Sequence, residues 1–201
     1  MREVRAPIKK TSIEKRNKII YKGFKLMCKK GYHNVTCVDI AKYSNVSTGI
    51  IYQYFKDKRD IFLEGVKNYS SEIMFPMTNT LTETKITKDN FKEIITVMID
   101  SYIKTHVLSK KAHKELSAMG YLDKEIANIF RTNEMMMTES VFKVLKDNHI
   151  EVTNSKERIH IIMGLIDNYC HELVFHKHKN IDYKVMKEEV INMIEMFLIK
   201  K

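Results

Sequence analysis

Apolar residues recur every three or four positions along most of the chain, with lysine and glutamate filling the gaps. That is the period of helices that bury one face. Ile20, Phe24, Met27 and Cys28 form the first such stripe, in a helix predicted to open at the Thr11-Ser12-Ile13-Glu14 capping box and to stop at Gly31. A second box, Thr36-Cys37-Val38-Asp39, starts a short helix to about Tyr43, and Asn45 suits the left-handed position that ends it. Ser47 caps the next helix, Thr48 to about Phe55. A third box, Asp57-Lys58-Arg59-Asp60, opens a helix to about Thr80. A kink or break is expected at Pro76, which cannot donate an i→i−4 bond. Helical periods then predict elements near 88–108, 110–118, 122–148, 155–177 and 183–199. Ile159, Ile162, Met163, Ile166, Cys170 and Leu173 mark the fourth of these; Val190, Met193, Ile194, Phe197 and Leu198 mark the last.

Composition agrees with an all-α protein. Among 201 residues there are six glycines and two prolines, too few for a turn-rich sheet fold. No apolar run approaches the roughly 18–20 residues of a membrane span, and the opening MREVRAPIKKTSIEKR has no apolar signal-peptide core. Cys28, Cys37 and Cys170 are scattered without metal-ligand spacing, which reads as a reduced, cytoplasmic chain.

Charge changes the picture most. Residues 1–60 hold 15 Lys and Arg against 5 Asp and Glu, whereas residues 61–201 hold 20 of each, so the net charge of +10 lies in the first third. Segregation of this kind points to a phosphate-binding module in front of a neutral one. The expected organisation is a basic arm at 1–10, a DNA-binding domain at 11–57 and a neutral helical domain at 58–201.

Within that basic third, a short helix, a turn of about three residues and a second short helix make a helix-turn-helix, with SNVSTGIIYQYF as turn and recognition helix. Val46, Ile51 and Phe55 are expected to pack inward on Ile40 and Ala41, leaving Thr48, Gly49, Tyr52, Gln53 and Tyr54 to face a duplex.

Residues 12–62 resemble the DNA-binding module of the TetR family of transcriptional regulators. The resemblance is carried by Gly31-Tyr32, Thr36, Val38, Ile40-Ala41, Val46-Ser47, Gly49, Tyr52, Phe55-Lys56, Lys58 and Ile61-Phe62 in that order and spacing. It implies that Thr36 caps the second helix and presents its end to a phosphate, with Cys37 beside it. Thr48 and Gly49 would offer backbone amides at the start of the recognition helix. Tyr52 and Tyr54 would contact the DNA backbone, Gln53 a base edge, and Lys58 would neutralise a further phosphate. Asn45 and Ile50 depart from the family's usual glycine and polar residue. With Val38 also apolar, contact with thymine methyls is the substitute for direct base readout.

The resemblance further implies that residues 58–201 form a helical effector-binding and dimerisation domain, with a homodimer made by the last two helices. The interface candidates are Ile166, Cys170, Leu173, Val190, Met193, Ile194 and Phe197, whose stripes are equally those of an ordinary core. A dimer suits a palindromic operator in double-stranded DNA. The middle region is rich in Met and aromatic residues, including Met74, Phe75 and Met77, which fits a pocket for an apolar or aromatic effector. Its candidate residues are Met98, Tyr102, His106, Phe130, Met163, Asp167 and Tyr169.

No Gly-rich phosphate loop, nucleophile elbow, paired-carboxylate motif or zinc helix is present, so no catalytic residue and no cofactor are assigned. His171 and His176 are five apart, off a common helical face, and with His178 read as solvated or capping groups rather than metal ligands. The leading reading is a ligand-released repressor. The alternatives are a non-specific architectural DNA-binding protein and, behind it, a helical metal-dependent enzyme or metal sensor.

Overall fold

The computed structural model describes residues 7–83, 85–87, 89–108 and 110–199, with the side chains of 71–83, 105 and 108 outside the description. Most of the basic arm and the side chains of Met74, Phe75 and Met77 therefore lie outside the described residues. The described chain is all-helical: α1 (Lys10–Lys30), a 3-10 turn (Tyr32–Asn34), α2 (Cys37–Ser44), α3 (Thr48–Tyr54), α4 (Lys58–Glu83), α5 (Phe91–Leu108), α6 (Lys110–Leu122), α7 (Lys124–Asp147), α8 (Ser155–Phe175) and α9 (Tyr183–Leu198).

Local chemistry explains most boundaries. Thr36 Oγ1 accepts from Asp39 N at 3.2 Å while Thr36 N donates to Asp39 Oδ2 at 2.9 Å, a complete capping box that starts α2. Asn45 ends it in the left-handed region at φ 56°. Asp57 Oδ1 accepts from Arg59 N and Asp60 N to start α4. Two expected caps differ. α1 begins at Lys10, before Thr11, and its first amides bond the Lys9 carbonyl, so the Thr11 box is absorbed into the first turn. Ser47 occupies the N-cap of α3 without a side-chain bond. α4 continues past Thr80 to Glu83, so Pro76 does not terminate it.

Two compact units result, and a single cut after residue 57 does not describe them. The first comprises residues up to Ser71 together with Lys111–Phe130; the second comprises Glu72–Lys110 and the chain from Arg131 onward. The reason lies in the first unit's core. Ile19, Met27, Ile40, Ile51 and Phe55 are joined there by Ile61, Phe62 and Val66 from α4, and by Leu116, Met119 and Ile126 from α6 and α7. Burying each such side chain contributes about 1.5–3 kcal/mol. Gly23 permits a tight crossing: a Cβ there would lie 2.8 Å from Ile61 Cγ2 and 3.0 Å from Ile40 Cγ2.

The second unit packs α5, α8 and α9 around Ile99, Ile159, Cys170, Val190 and Ile194, with Val144 and Leu145 from the end of α7. α8 and α9 form an antiparallel hairpin. Tyr169 Oη donates to the Tyr183 carbonyl at one end, and Arg158 Nη1 donates to the Phe197 carbonyl at the other. Asp182 caps α9 by accepting from Lys184 N and Val185 N.

Candidate nucleic-acid interface and ligand cavity

α3 divides cleanly by face. Ile51, Tyr54 and the C-cap residue Phe55 are buried in the first unit's core, while Gly49, Tyr52 and Gln53, spaced at one helical turn, are exposed. Thr48 is half-buried at the helix start. Tyr52 is 43 % exposed, whereas Tyr54 is 6 % exposed and packs edge-on against Phe55. Tyr54 therefore belongs to the core, and its expected backbone contact is withdrawn. The i+3 step from Ile51 carries it inward. Val46 and Ile50 are half-buried against the same core, which leaves Val38 on α2, at 61 % exposure, as the outward apolar group.

Thr36 and Cys37 open α2 beside this face. Burial raises the Cys37 thiol above its ordinary value, and the Tyr52 hydroxyl beside it partly offsets that rise. The proximity of Cys37 in turn raises the Tyr52 phenol. Asp39, held by the Thr36 hydroxyl and amide, sits below the usual carboxyl range.

Lys58 does not stand free to neutralise a phosphate. Its Nζ donates to the carbonyls of Tyr32 and Val35, both at 2.8 Å, approaches that of His33 at 3.5 Å, and lies 4.5 Å from the Tyr32 ring centre. Two carbonyls of the 3-10 turn and that of Val35 just after it converge on one ammonium, which satisfies its donors and fixes the approach to Thr36. Lys58 is a clamp.

A second latch joins α4 to the α6–α7 corner. The Arg59 guanidinium holds Asp123 through Nε at 3.2 Å and Nη2 at 2.8 Å, and Glu125 through Nη1 at 2.8 Å. Asp123 Oδ1 also accepts from Glu125 N at 2.9 Å and Ile126 N at 3.3 Å, capping α7. Burial alone would raise the Asp123 carboxyl, but Arg59 and these amides hold it below the ordinary range. On α6, Glu115 accepts from the Tyr32 amide. Arg59, Asp123 and Glu115 look like unremarkable surface charges in the sequence, since nothing in a helical period pairs residues 64 or 83 apart.

The second unit contains a cavity of about 310 Å³ between α5, α7, α8 and α9. Met98, Tyr102, Met163 and Asp167 line it as expected. Three other candidates do not. His106 is buried behind the lining, its Nδ1 at 2.9 Å from the Tyr102 carbonyl, with burial lowering its pKa. Tyr169 is committed to the core by its bond to Tyr183. Phe130 packs over Gly120 in the first unit. Glu134, His160 and Gly164 line the cavity but escaped the sequence reading, because their period marks them as solvent-facing.

Of the interface candidates, Ile166, Cys170, Val190 and Ile194 are buried in the unit's own core and offer no surface to a second copy. Leu173 is half-buried, while Met193 and Phe197 remain exposed. Ile161, Val185 and Met196 are the further exposed apolar residues of this hairpin, with Met196 at 60 %. The outward edge of each stripe carries the free apolar surface. His178 Nε2 lies 3.3 Å from Glu172 and His171 Nε2 lies 3.7 Å from Asp167, while His176 caps α8.

Residues 19–64 match the family model of bacterial regulatory proteins of the tetR family. Over 64 residues the chain is 45 % identical to the HTH-type transcriptional regulator HbdR of Aromatoleum sp. (strain CIB), a match spanning 30 % of this chain and 28 % of that protein. Over 148 residues it is 27 % identical to IcaR of Staphylococcus aureus (strain Newman), the HTH-type negative transcriptional regulator of the biofilm operon icaADBC, covering 65 % of this chain and 77 % of IcaR. A solved protein of Mesorhizobium loti MAFF303099, described as a TetR-family transcriptional regulator, superposes with a TM-score of 0.75 at 17 % identity, covering 94 % of this chain and 97 % of that one.

Proposed function

From an amino-terminal module that matches the tetR family model over residues 19–64, we propose that the chain is a TetR-family transcriptional regulator acting as a dimeric, ligand-released repressor of a palindromic operator. One observation carries the DNA-binding half of this reading. α3 buries Ile51 and Tyr54 and turns Gly49, Tyr52 and Gln53 outward, within the third of the chain that carries the whole net charge. The helix can lie in a major groove with its amides and Tyr52 on phosphates, where the charge supplies the sequence-independent part of affinity. Thr36, Cys37, Thr48, Gly49, Tyr52, Gln53 and Val38 make up the proposed reading surface. The architectural alternative differs in one measurable respect, the preference for operator over scrambled duplex.

Repression is supported by the described role of IcaR as a negative regulator. The dimer is supported by the exposed edge of the α8–α9 hairpin. Arg158 stacks 5.7 Å from the Phe197 ring, which brings Ile161, one turn along α8, onto the same edge as Met193, Met196 and Phe197. An apolar strip across two helices is the surface that a two-fold copy covers. The cavity between α5, α7, α8 and α9 is the proposed effector site, and α4 and α7 run unbroken from the second unit into the first. An effector that favours the DNA-incompetent arrangement by a few kcal/mol releases the operator.

The test is fluorescence anisotropy with duplexes from the promoter region of the protein's own gene and with scrambled duplexes, across a salt series. Binding that is selective and falls with salt supports the reading. Equal affinity for both duplexes favours the architectural alternative and overturns the repressor. Light scattering checks the dimer: Met196→Lys should yield a monomer, and an unchanged mass would remove the α8–α9 edge from the interface.

A further inference from the structure

The cavity is two-ended. At its closed end Phe91, Ile95, Met98, Ile159 and Ile194 are all buried, while at its mouth Glu134, His160 and Gly164 are exposed and Asp167 is about half exposed. Among the described residues the lining contains two carboxylates and no lysine or arginine, in a chain with 35 basic residues.

The other carboxylates nearby mostly have cationic partners: Asp100 with Lys187, Glu139 with Lys156, and Glu195 with Lys92. Glu134 and Asp167 differ. Asp167 Oδ1 accepts from the Tyr102 hydroxyl at 2.9 Å and has only imidazoles at ion-pair range, His106 at 3.8 Å and His171 at 3.7 Å. His106 is held toward its neutral form by burial. Among the described residues no lysine or arginine lies within ion-pair distance of either carboxylate.

We propose that the effector is a cationic amphiphile, whose ammonium-type head sits between Glu134, Asp167 and the Tyr102 ring and whose apolar tail fills the cavity. This rests on the reading of the cavity as the effector site. Two carboxylates and an aromatic ring on one lining favour a positive head over a neutral or negative one of the same size. The volume of about 310 Å³ corresponds to roughly ten groups the size of a water molecule, so it takes a tail of medium length and excludes a long-chain lipid. Met98 and Met163 adapt to tails of different shape.

The experiment compares three probes with one tail: octyltrimethylammonium, octanol and octanoate, titrated calorimetrically into the full-length protein and then into its operator complex. Octyltrimethylammonium is expected to bind on the order of tenfold more tightly than octanol, and octanoate more weakly than both. Asp167→Asn with Glu134→Gln should remove the preference, so that octyltrimethylammonium binds the variant no more tightly than octanol does. Octanol or octanoate matching the ammonium overturns the cationic assignment and leaves the cavity as effector site. The same holds if the double variant keeps the preference. If none of the three binds, both the assignment and the effector reading of this cavity fail together.

Discussion

Replacing Lys58 with methionine keeps the aliphatic stem and removes the ammonium, so it separates a clamp from a phosphate contact. In the structure that ammonium makes two 2.8 Å bonds to the Tyr32 and Val35 carbonyls, a longer approach to His33, and a cation–π contact with Tyr32. Hydrogen bonds to a charged group contribute about 1.5–3 kcal/mol each when buried, and the cation–π contact about 0.5–1 kcal/mol at a partly exposed site. The surroundings are half-buried and water can replace part of this, so the expected loss is about 2–3 kcal/mol. For a chain of this length that lowers the melting temperature by about 5–10 °C. The assay pairs a circular-dichroism melt with anisotropy titrations across a salt series, run at a temperature where the variant is folded. The salt slope should stay within about half a unit of the unaltered protein, because no phosphate contact is lost. An unchanged melt together with a slope smaller by about one unit per chain would show that Lys58 serves DNA directly and that the clamp reasoning is wrong.

Further outcomes follow from the same geometry. Tyr52→Phe should weaken operator binding without altering stability, whereas Tyr54→Phe should leave salt dependence and affinity unchanged. Anisotropy and melts on both variants check this, and a binding defect in the Tyr54 variant would place that residue back on the DNA face. The Asp39 and Asp123 carboxyls are both depressed below their ordinary value of 3.8. Their contribution to stability is therefore present above that pH and is lost as pH falls through the lower folded values. Denaturant midpoints measured from pH 5 to pH 2 should drop less steeply in Asp123→Asn than in the unaltered chain. Cys28 and Cys170 are buried, with thiols pushed up to about 12. Iodoacetamide at pH 8 should thus label the native protein at Cys37 first, and all three cysteines only after unfolding; mass spectrometry reads the sites.

The helix-turn-helix was readable because its determinants are local. Thr36 with Asp39, Asn45 and Asp57 act within four residues of themselves, and every one occupies the conformation its chemistry demands. Helix existence along the remainder was equally readable from the 3.6-residue period. What the period cannot do is rank positions within a stripe. Ile166, Cys170, Val190 and Ile194 lie on the same apolar faces as Met193 and Phe197, yet the first four are core and the last two are surface. Tyr54 and Lys58 were misread for a related reason: their side chains have one chemistry but two available partners, and only the fold decides which is in reach. Glu134 and Gly164 were missed because a cavity mouth is solvent-facing by its period.

The Arg59–Asp123 latch has a consequence for how such a regulator can be rearranged. The recognisable family segment stops at residue 64, but the hydrophobic centre beneath it extends to Ile126 and is tied down by a side chain that also starts α7. A graft that exchanges only the segment up to residue 64 would strand Leu116, Met119 and Ile126 against a foreign surface and leave Asp123 without its guanidinium. Exchange of the helix-turn-helix between relatives therefore has to carry the stretch from 111 to 130 along with it. Two distant pieces of the gene are bound to change hands as a single heritable part.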